Sequence, residues 1–432
     1  MKIYNFKDLT KQEVKELCSR SISDDNLVKS RTEEIINNVK SNGDNALLSY
    51  AQQFDNIELS SLFIAKEELA ELAKEIPTDV KTAIDTAYQN IYTFHAAQLK
   101  TENKVETMPG VVCWRENRAI ERVGLYIPGG TAVLPSTFLM LGIPAKIAGC
   151  KEIVVCSPPQ SDGKVNCYIA YVATLLNIEK VYLVGGAQAV AAMAYGTETV
   201  PQVYKIFGPG NRYVTEAKKQ VQNTVAIDMP AGPSEVLVLA DETAIPSYVA
   251  ADLLAQAEHG TDSQSILTVT SNKTAIQVIE EVEKQLTELP RKDIAAAAIE
   301  NSYVMMVDDL EQGMEFSNVY APEHLILATE NYEALIPLIT NAGSVFLGNL
   351  TPESAGDYAS GTNHTLPTSA FAKAYSGVSV DTFIKKITFQ HLDNNGLKNI
   401  GKTVEVLAEA EGLQAHKNAV SIRLKSNTKF RS

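Results

Sequence analysis

Apolar positions recur along the chain with two different periods, and the change from one to the other marks its organisation. The first 25 residues are polar and helical in character, which predicts an arm or a small appendage. Two amphipathic helices are expected next, around 28–50 and 79–99; in the second, Val80, Ile84, Ala87, Ile91 and Phe94 recur at helical spacing. From about 123, short apolar runs alternate with longer helical ones. VGLYIP, EIVVCS, KVYLVGG, VYKIFG and SEVLVLA read as buried strands, with STFLMLGIPAKIAG, AQAVAAMAY and NRYVTEAKKQVQ as helices between them. A second set begins at 265 with SILTVTS, SYVMMVDD, HLILATE and SVFLG. Such alternation implies parallel sheets covered by helices on both faces.

Two α/β units of Rossmann type follow, one inserted into the other. The expected division is an arm over 1–25, a first α/β domain made of 26–125 and 238–380, a second over 126–237, and a helical, polar tail over 381–432. A length of 432 residues fits this division, since about two to four domains are expected at that size.

Composition narrows the function. Hydrophobic residues make up 45% and charged residues 21%, as in an ordinary globular protein. The net charge of −14 disfavours a nucleic-acid partner, because an acidic surface repels a phosphate backbone. No apolar run approaches the roughly 18 residues of a membrane span, and the first residues lack the apolar core of a signal peptide, so a cytoplasmic location is expected. Cys18, Cys113, Cys150, Cys156 and Cys167 form no C-x-x-C pair, which points away from a disulfide framework or thiolate zinc site. A covalent thiol mechanism would fall to Cys113 or Cys150, but neither has a base motif around it.

Candidate chemistry lies in three glycine turns and four polar clusters. Gly129-Gly130, Gly185-Gly186 and Gly208-Pro209-Gly210 each follow a strand, where the backbone can approach a phosphate or simply turn tightly. Asn211 would cap the helix after the third. Gln188 falls in the first turn of a helix at the carboxyl end of a strand, where it is expected to be exposed, facing either ligand or solvent. Of six histidines, His95 on an amphipathic helix is expected to be structural, and His391 has no evident partner. Gln256 and His259 are three apart at a helix end, a spacing suited to two ligands of one metal or to capping carbonyls. Glu323 and His324 join an acid to an imidazole at a strand edge, as proton transfer or a capped turn would require. Glu353, Asp357 and His364 crowd into one loop, and Glu411 and His416 lie in the tail.

ERVGLYIPGGTAVLPSTFLMLGIPAKIAGC, VGGAQAVAAMAYGTE, KIFGPGNRYVTEAK, AIDMPAGPSEVLVLAD, AEHGTDSQ, APEHLI, AGSVFLG, ESAGDYASGTNHTLPT and EGLQAHKNAV resemble the histidinol dehydrogenase family, in the family's order, from about 120 to 420. The loop 157–168 looks a few residues longer than the family pattern. The resemblance implies two incomplete Rossmann-like units with small terminal segments in an intertwined homodimer. It implies NAD and one Zn²⁺ per subunit as cofactors, with Mn²⁺ or Co²⁺ also suited to nitrogen and oxygen ligands. The implied zinc ligands are Gln256, His259 and Asp357 of one subunit and His416 of the other. Glu323 and His324 would be catalytic; Ser234, Glu411 and His364 would line the L-histidinol site together with the ligands; Tyr126, Gln188 and Asn211 would contact NAD.

Overall fold

The computed structural model describes residues 1–20, 26–129, 133–230 and 232–426, so Gly130 and the end of the expected arm lie outside the described residues. The chain forms two compact units, Met1–Gln98 with Ile120–Phe383 and Leu99–Ala119 with Ile384–Ser432.

The larger unit holds two six-stranded sheets. In the first, the order is Lys2–Asn5, Tyr303–Met306, Gln264–Val269, Glu235–Ala240, His324–Ala328 and Ser344–Leu347, all parallel. Its central strands are buried along their whole length, which is why EVLVLA and HLILA are unbroken apolar runs after their first residues. In the second sheet the order is Phe63–Ala65, Lys180–Leu183, Glu152–Ser157, Arg122–Tyr126, Lys205–Phe207 and Ala226–Ile227; only the Phe63–Ala65 edge runs antiparallel.

Three expectations need correction. The start of the chain is a strand, and it pairs with Tyr303–Met306 at the edge of the first sheet. Four residues of mixed polarity at an edge carry too little alternation to be recognised. The stretch 26–98 does not join 238–380: Phe63–Ala65 enters the second sheet, and the helices Asn26–Tyr50 and Thr78–Ala96 bury Leu47, Ile84 and Ile91 in cores shared with Val123, Val190 and Phe138. An amphipathic helix records its apolar face but not the sheet it covers. Within Thr78–Ala96 that face passes through Ile84, Ala87, Ile91 and His95, and Phe94 is 47% exposed. His95 is structural as expected, its Nδ1 2.8 Å from the Ile91 carbonyl oxygen.

The smaller unit corrects the tail. Ile384–Leu392 is a nine-residue strand, antiparallel to Val111–Ala119 from Ile384 opposite Ala119 to Leu392 opposite Val111, with Val105–Met108 on the other side. Phe389 stacks on Trp114 at 5.4 Å. Two helices, Asn394–Ala410 and Gln414–Ser426, follow and pack on each other. Residues 99–119 therefore belong with the tail and not with a large α/β domain.

Candidate active site

The helix Leu310–Tyr320 ends at Ala321, which takes a left-handed conformation at φ 53°. This abrupt turn into Pro322 delivers Glu323 and His324 to the amino end of the strand His324–Ala328, where both are buried. The adjacent strand holds them. Nδ1 of His324 lies 3.1 Å from the Glu235 carbonyl oxygen, and Oε2 of Glu323 accepts the Glu235 backbone N–H at 2.9 Å. A carbonyl only accepts, so Nδ1 carries the proton and a neutral His324 presents a bare Nε2. That Nε2 is buried and makes no well-aligned hydrogen bond, although Asp357 Oδ1 faces it at 3.4 Å. Burial pushes the Glu323 carboxyl up to about 7, against the pull of His324.

A short helix, Glu353–Tyr358, supplies the acids opposite. Asp357 Oδ1 is 3.4 Å from His324 Nε2, and Glu353 Oε1 is 3.7 Å from Nδ1. The ligand atoms of His324, Glu353 and Asp357 lie within 4.8 Å of one another. Burial opposes charge on His324, yet Glu353, Glu323 and Asp357 together raise its pKa well above the imidazole range. Burial would raise Asp357, but His324, His364 and His259 hold it below the usual carboxylate range. Burial raises Glu353 well above that range. His364 has both ring nitrogens engaged, Nδ1 2.8 Å from the Asp357 carbonyl oxygen and Nε2 3.1 Å from Thr137 Oγ1.

The helix Pro246–Ala257 packs against Glu353–Tyr358. Gln256 ends it fully buried, and neither Oε1 nor Nε2 of its amide has a partner. His259 follows with an open surface, although the protein crowded around it lowers its pKa; Asp357 opposes that shift and His324 adds to it. Orphaned amide atoms in an interior cost on the order of 1–3 kcal/mol, so a partner belongs there. Amide oxygen, imidazole and carboxylate on packed elements form a donor set that fits a zinc ion. Ser234 immediately precedes the strand Glu235–Ala240, so it shares this edge. The cluster thus lies at the amino ends of the first sheet's strands, the opposite edge from that used by most open α/β sheets.

The glycine turns lie at the carboxyl ends of the second sheet. Tyr126 Oη accepts the Gly186 N–H at 3.1 Å, and burial pushes its hydroxyl up to about 12. Asn211 is exposed, and its Oδ1 caps Arg212–Val221 by accepting from Tyr213 and Val214. Gln188, expected to be exposed, is buried at 5%. The helix Gly186–Tyr195 is sealed nearly all round by apolar neighbours, which a glutamine in its first turn does not reveal.

Glu411 ends the helix Asn394–Ala410 and His416 lies in the first turn of the next; both are exposed, in the smaller unit. Cys113 also belongs to the smaller unit. Cys150 is buried and its thiol is pushed up to about 12 by desolvation, which disfavours a thiolate nucleophile.

Comparison with known proteins decides the family. A family profile described as histidinol dehydrogenase matches residues 18–424. The histidinol dehydrogenase of Bacteroides thetaiotaomicron is 58% identical over 391 residues, covering 90% of this chain and 91% of that protein. The chain belongs to the histidinol dehydrogenase family.

The chloroplastic histidinol dehydrogenase of Arabidopsis thaliana is 51% identical over 430 residues, 98% of this chain and 92% of its own. A crystal structure of histidinol dehydrogenase from Elizabethkingia anophelis superposes with a TM-score of 0.96 at 52% identity, covering 99% of both chains. As a histidinol dehydrogenase the chain is an enzyme that oxidises histidinol in histidine biosynthesis. Among the described residues no helix is long and apolar enough to cross a membrane.

Three groups beside the expected residues escaped sequence reasoning. Glu235, whose backbone holds Glu323 and His324, reads in sequence as the polar edge of an apolar strand. Arg20, paired with the Glu235 side chain, is 215 residues away from it. Asp252, pushed up to about 7 by burial, lies one turn before Gln256 on the same helix, and that spacing is the one signal that points to it.

Proposed function

We propose that this histidinol dehydrogenase is zinc- and NAD-dependent and carries L-histidinol through L-histidinaldehyde to L-histidine in two oxidations. The observation that carries this reading is the buried His324 Nε2, which faces Asp357 Oδ1 at 3.4 Å, together with the buried Gln256 amide, which has no partner, on packed elements.

A primary alcohol loses four electrons on becoming a carboxylate, so two hydrides leave the same carbon in turn. In the first oxidation His324 Nε2 takes the hydroxyl proton as a hydride departs, giving the aldehyde and one NADH. Glu323 then takes a proton from a water that adds to the aldehyde, while the protonated His324 returns its proton to the carbonyl oxygen; this gives the hydrate and leaves His324 free to act as a base again. A carboxyl with a pKa near neutrality can accept that proton and release it again within one turnover. His324 takes a hydroxyl proton from the hydrate as the second hydride leaves, giving the acid and a second NADH. Gln256, His259 and Asp357, with His416 of the partner subunit, would hold the zinc, which supplies a template orienting the substrate's nitrogens beside His324. Ser234 and His364 would line the substrate site, and Glu411, in the tail, would serve the partner's site. Tyr126, Gln188 and Asn211 would contact NAD on the second, Rossmann-like sheet, with 126–237 as the core of that nucleotide-binding region.

An intertwined homodimer accounts for the smaller unit, where Val406, Leu407, Leu413 and Ile422 leave apolar surface uncovered on two helices.

The test is stoichiometric. Zinc-loaded protein should yield two NADH per L-histidinol, lose activity to a strong chelator and regain it with zinc. One NADH per substrate, or turnover indifferent to chelation, would overturn the reading.

A further inference from the structure

The two groups assigned to proton transfer are both tied to the backbone of one residue, Glu235. Glu235 gives its backbone N–H to Glu323 Oε2 at 2.9 Å and presents its carbonyl oxygen to His324 Nδ1 at 3.1 Å. The position of that backbone sets the direction in which Nε2 of His324 points and the place of the Glu323 carboxylate.

The Glu235 side chain is gripped from both sides. Its Oε2 receives Arg20 Nη2 at 2.8 Å and its Oε1 receives the Ser369 N–H at 2.7 Å. The ion pair is almost wholly enclosed, with side-chain exposures of 8% for Arg20 and 1% for Glu235. Arg20 is itself fixed. Its Nη1 donates to the carbonyl oxygens of Tyr320 at 2.8 Å and Cys18 at 3.0 Å, and its guanidinium lies over the Tyr320 ring at 3.6 Å. Tyr320 closes the helix that turns through Ala321 into Glu323 and His324. Arg20 therefore holds both supports of the proton-transfer pair, the side chain of Glu235, whose backbone lies beside the pair, and the helix end that leads into it.

A buried ion pair is a poor source of net stability, because the cost of taking both charges out of water consumes most of their attraction. Apolar side chains of similar volume would hold the fold as well. The planar fork of arginine does something that apolar packing does not: it fixes direction at several acceptors at once.

We propose that Arg20 and Glu235 form a positioning pair for the enzyme's proton-transfer groups, acting through the backbone of Glu235 and the end of the helix Leu310–Tyr320. The inference rests on the roles given above to Glu323 and His324. It assigns a catalytic consequence to the N-terminal segment, beyond its edge strand Lys2–Asn5 and the packing of its helix Lys11–Leu17.

The experiment uses full-length, zinc-loaded enzyme and the variants Arg20→Met and Arg20→Lys. Parent turnover of L-histidinol and its loss in His324→Asn are measured first; if His324→Asn turns over normally, the reading of the dyad fails and the positioning role falls with it. With the dyad upheld, Arg20→Met is expected to lose at least tenfold in kcat, with KM for L-histidinol and for NAD⁺ held within twofold. Arg20→Lys keeps the charge but not the fork, and is expected to recover part of kcat with the same KM values. If Arg20→Met does not fold, Arg20→Lys alone decides, with kcat below the parent at unchanged KM. Unchanged kcat in a folded variant would overturn the proposal. So would a rise in KM, or a loss of zinc, in step with the fall in kcat, for that pattern marks a general loosening of the site.

Discussion

His324 and Glu235 meet across a parallel ladder: the register sets His324 beside Val236, and this places the imidazole Nδ1 3.1 Å from the carbonyl oxygen of the residue before it. The contact fixes the tautomer, and the tautomer decides which nitrogen can act as a base. A substitution that spares this contact but changes the charge around the ring should alter when the base works and leave its aim intact.

Glu353→Gln makes that change. Burial works against a charged His324, and among the groups that raise its pKa Glu353 contributes most. A base acts when unprotonated, so activity rises as pH climbs through the pKa of the coupled cluster. Wherever Glu353 is ionised its charge raises that pKa, so its replacement should move the acid limb of the kcat/KM profile to lower pH. An unmoved limb, or one displaced to higher pH, would contradict the charge arrangement.

Gln256→Ala tests the orphaned amide. The side chain is fully buried with both polar atoms unpartnered, so its truncation removes a ligand but no internal hydrogen bond. Zinc affinity should fall at least tenfold, read by competition with a chromophoric chelator. The metal-free protein should lose little thermal stability beyond the cavity cost. Unchanged zinc affinity would exclude Gln256 as a ligand.

Asp252 offers a stability test with a definite sign. Burial raises its carboxyl from 3.8 to about 7, with a backbone N–H at Glu353 opposing the shift. A folded-state pKa above the unfolded one means that its contribution is present below about 4 and is lost as pH rises to about 7. Asp252→Asn keeps an acceptor and removes the charge, so metal-free variant should be more stable than parent at pH 8 by about 2 kcal/mol, and no more stable at pH 4. Denaturant unfolding at the two pH values measures this; equal differences at both would contradict it.

The proposed sharing of the site between subunits has a mixing test. His259→Ala and His416→Ala chains should each be nearly inactive, because each lacks one zinc ligand in every site. Heterodimers formed by subunit exchange regain one intact site, and about a quarter of parent activity is expected after equal, random mixing. No recovery under conditions where exchange is demonstrated by mass would show that His416 is not supplied across an interface.

Much of the site was legible because its chemistry depends on rare residues in dense clusters. His324 beside Glu323, and Gln256 three before His259, stand out at the ends of apolar segments. The parallel strands were equally plain, since doubly buried strands such as 235–240 and 324–328 are apolar on both faces. Legibility failed where partners are distant or surfaces polar. The strand Ile384–Leu392 is half polar and finds Val111–Ala119 more than 260 residues earlier, so no local pattern announces either. Helix Thr78–Ala96 shows its apolar stripe but not its sheet, and the last turn buries His95 where spacing alone suggested Phe94. The Arg20–Glu235 pair is invisible in sequence because a lone arginine and a lone glutamate carry no sign of burial.

The central claim is that the unprotonated Nε2 of His324 receives the substrate's hydroxyl proton while other residues bind zinc and L-histidinol. Single-turnover measurement on zinc-loaded His324→Asn addresses it most directly. The account predicts zinc content and L-histidinol affinity within a few-fold of the parent, with NADH formation slowed about 10³-fold. A rate near that of the parent, or a variant that has lost its zinc and its substrate together, would contradict it.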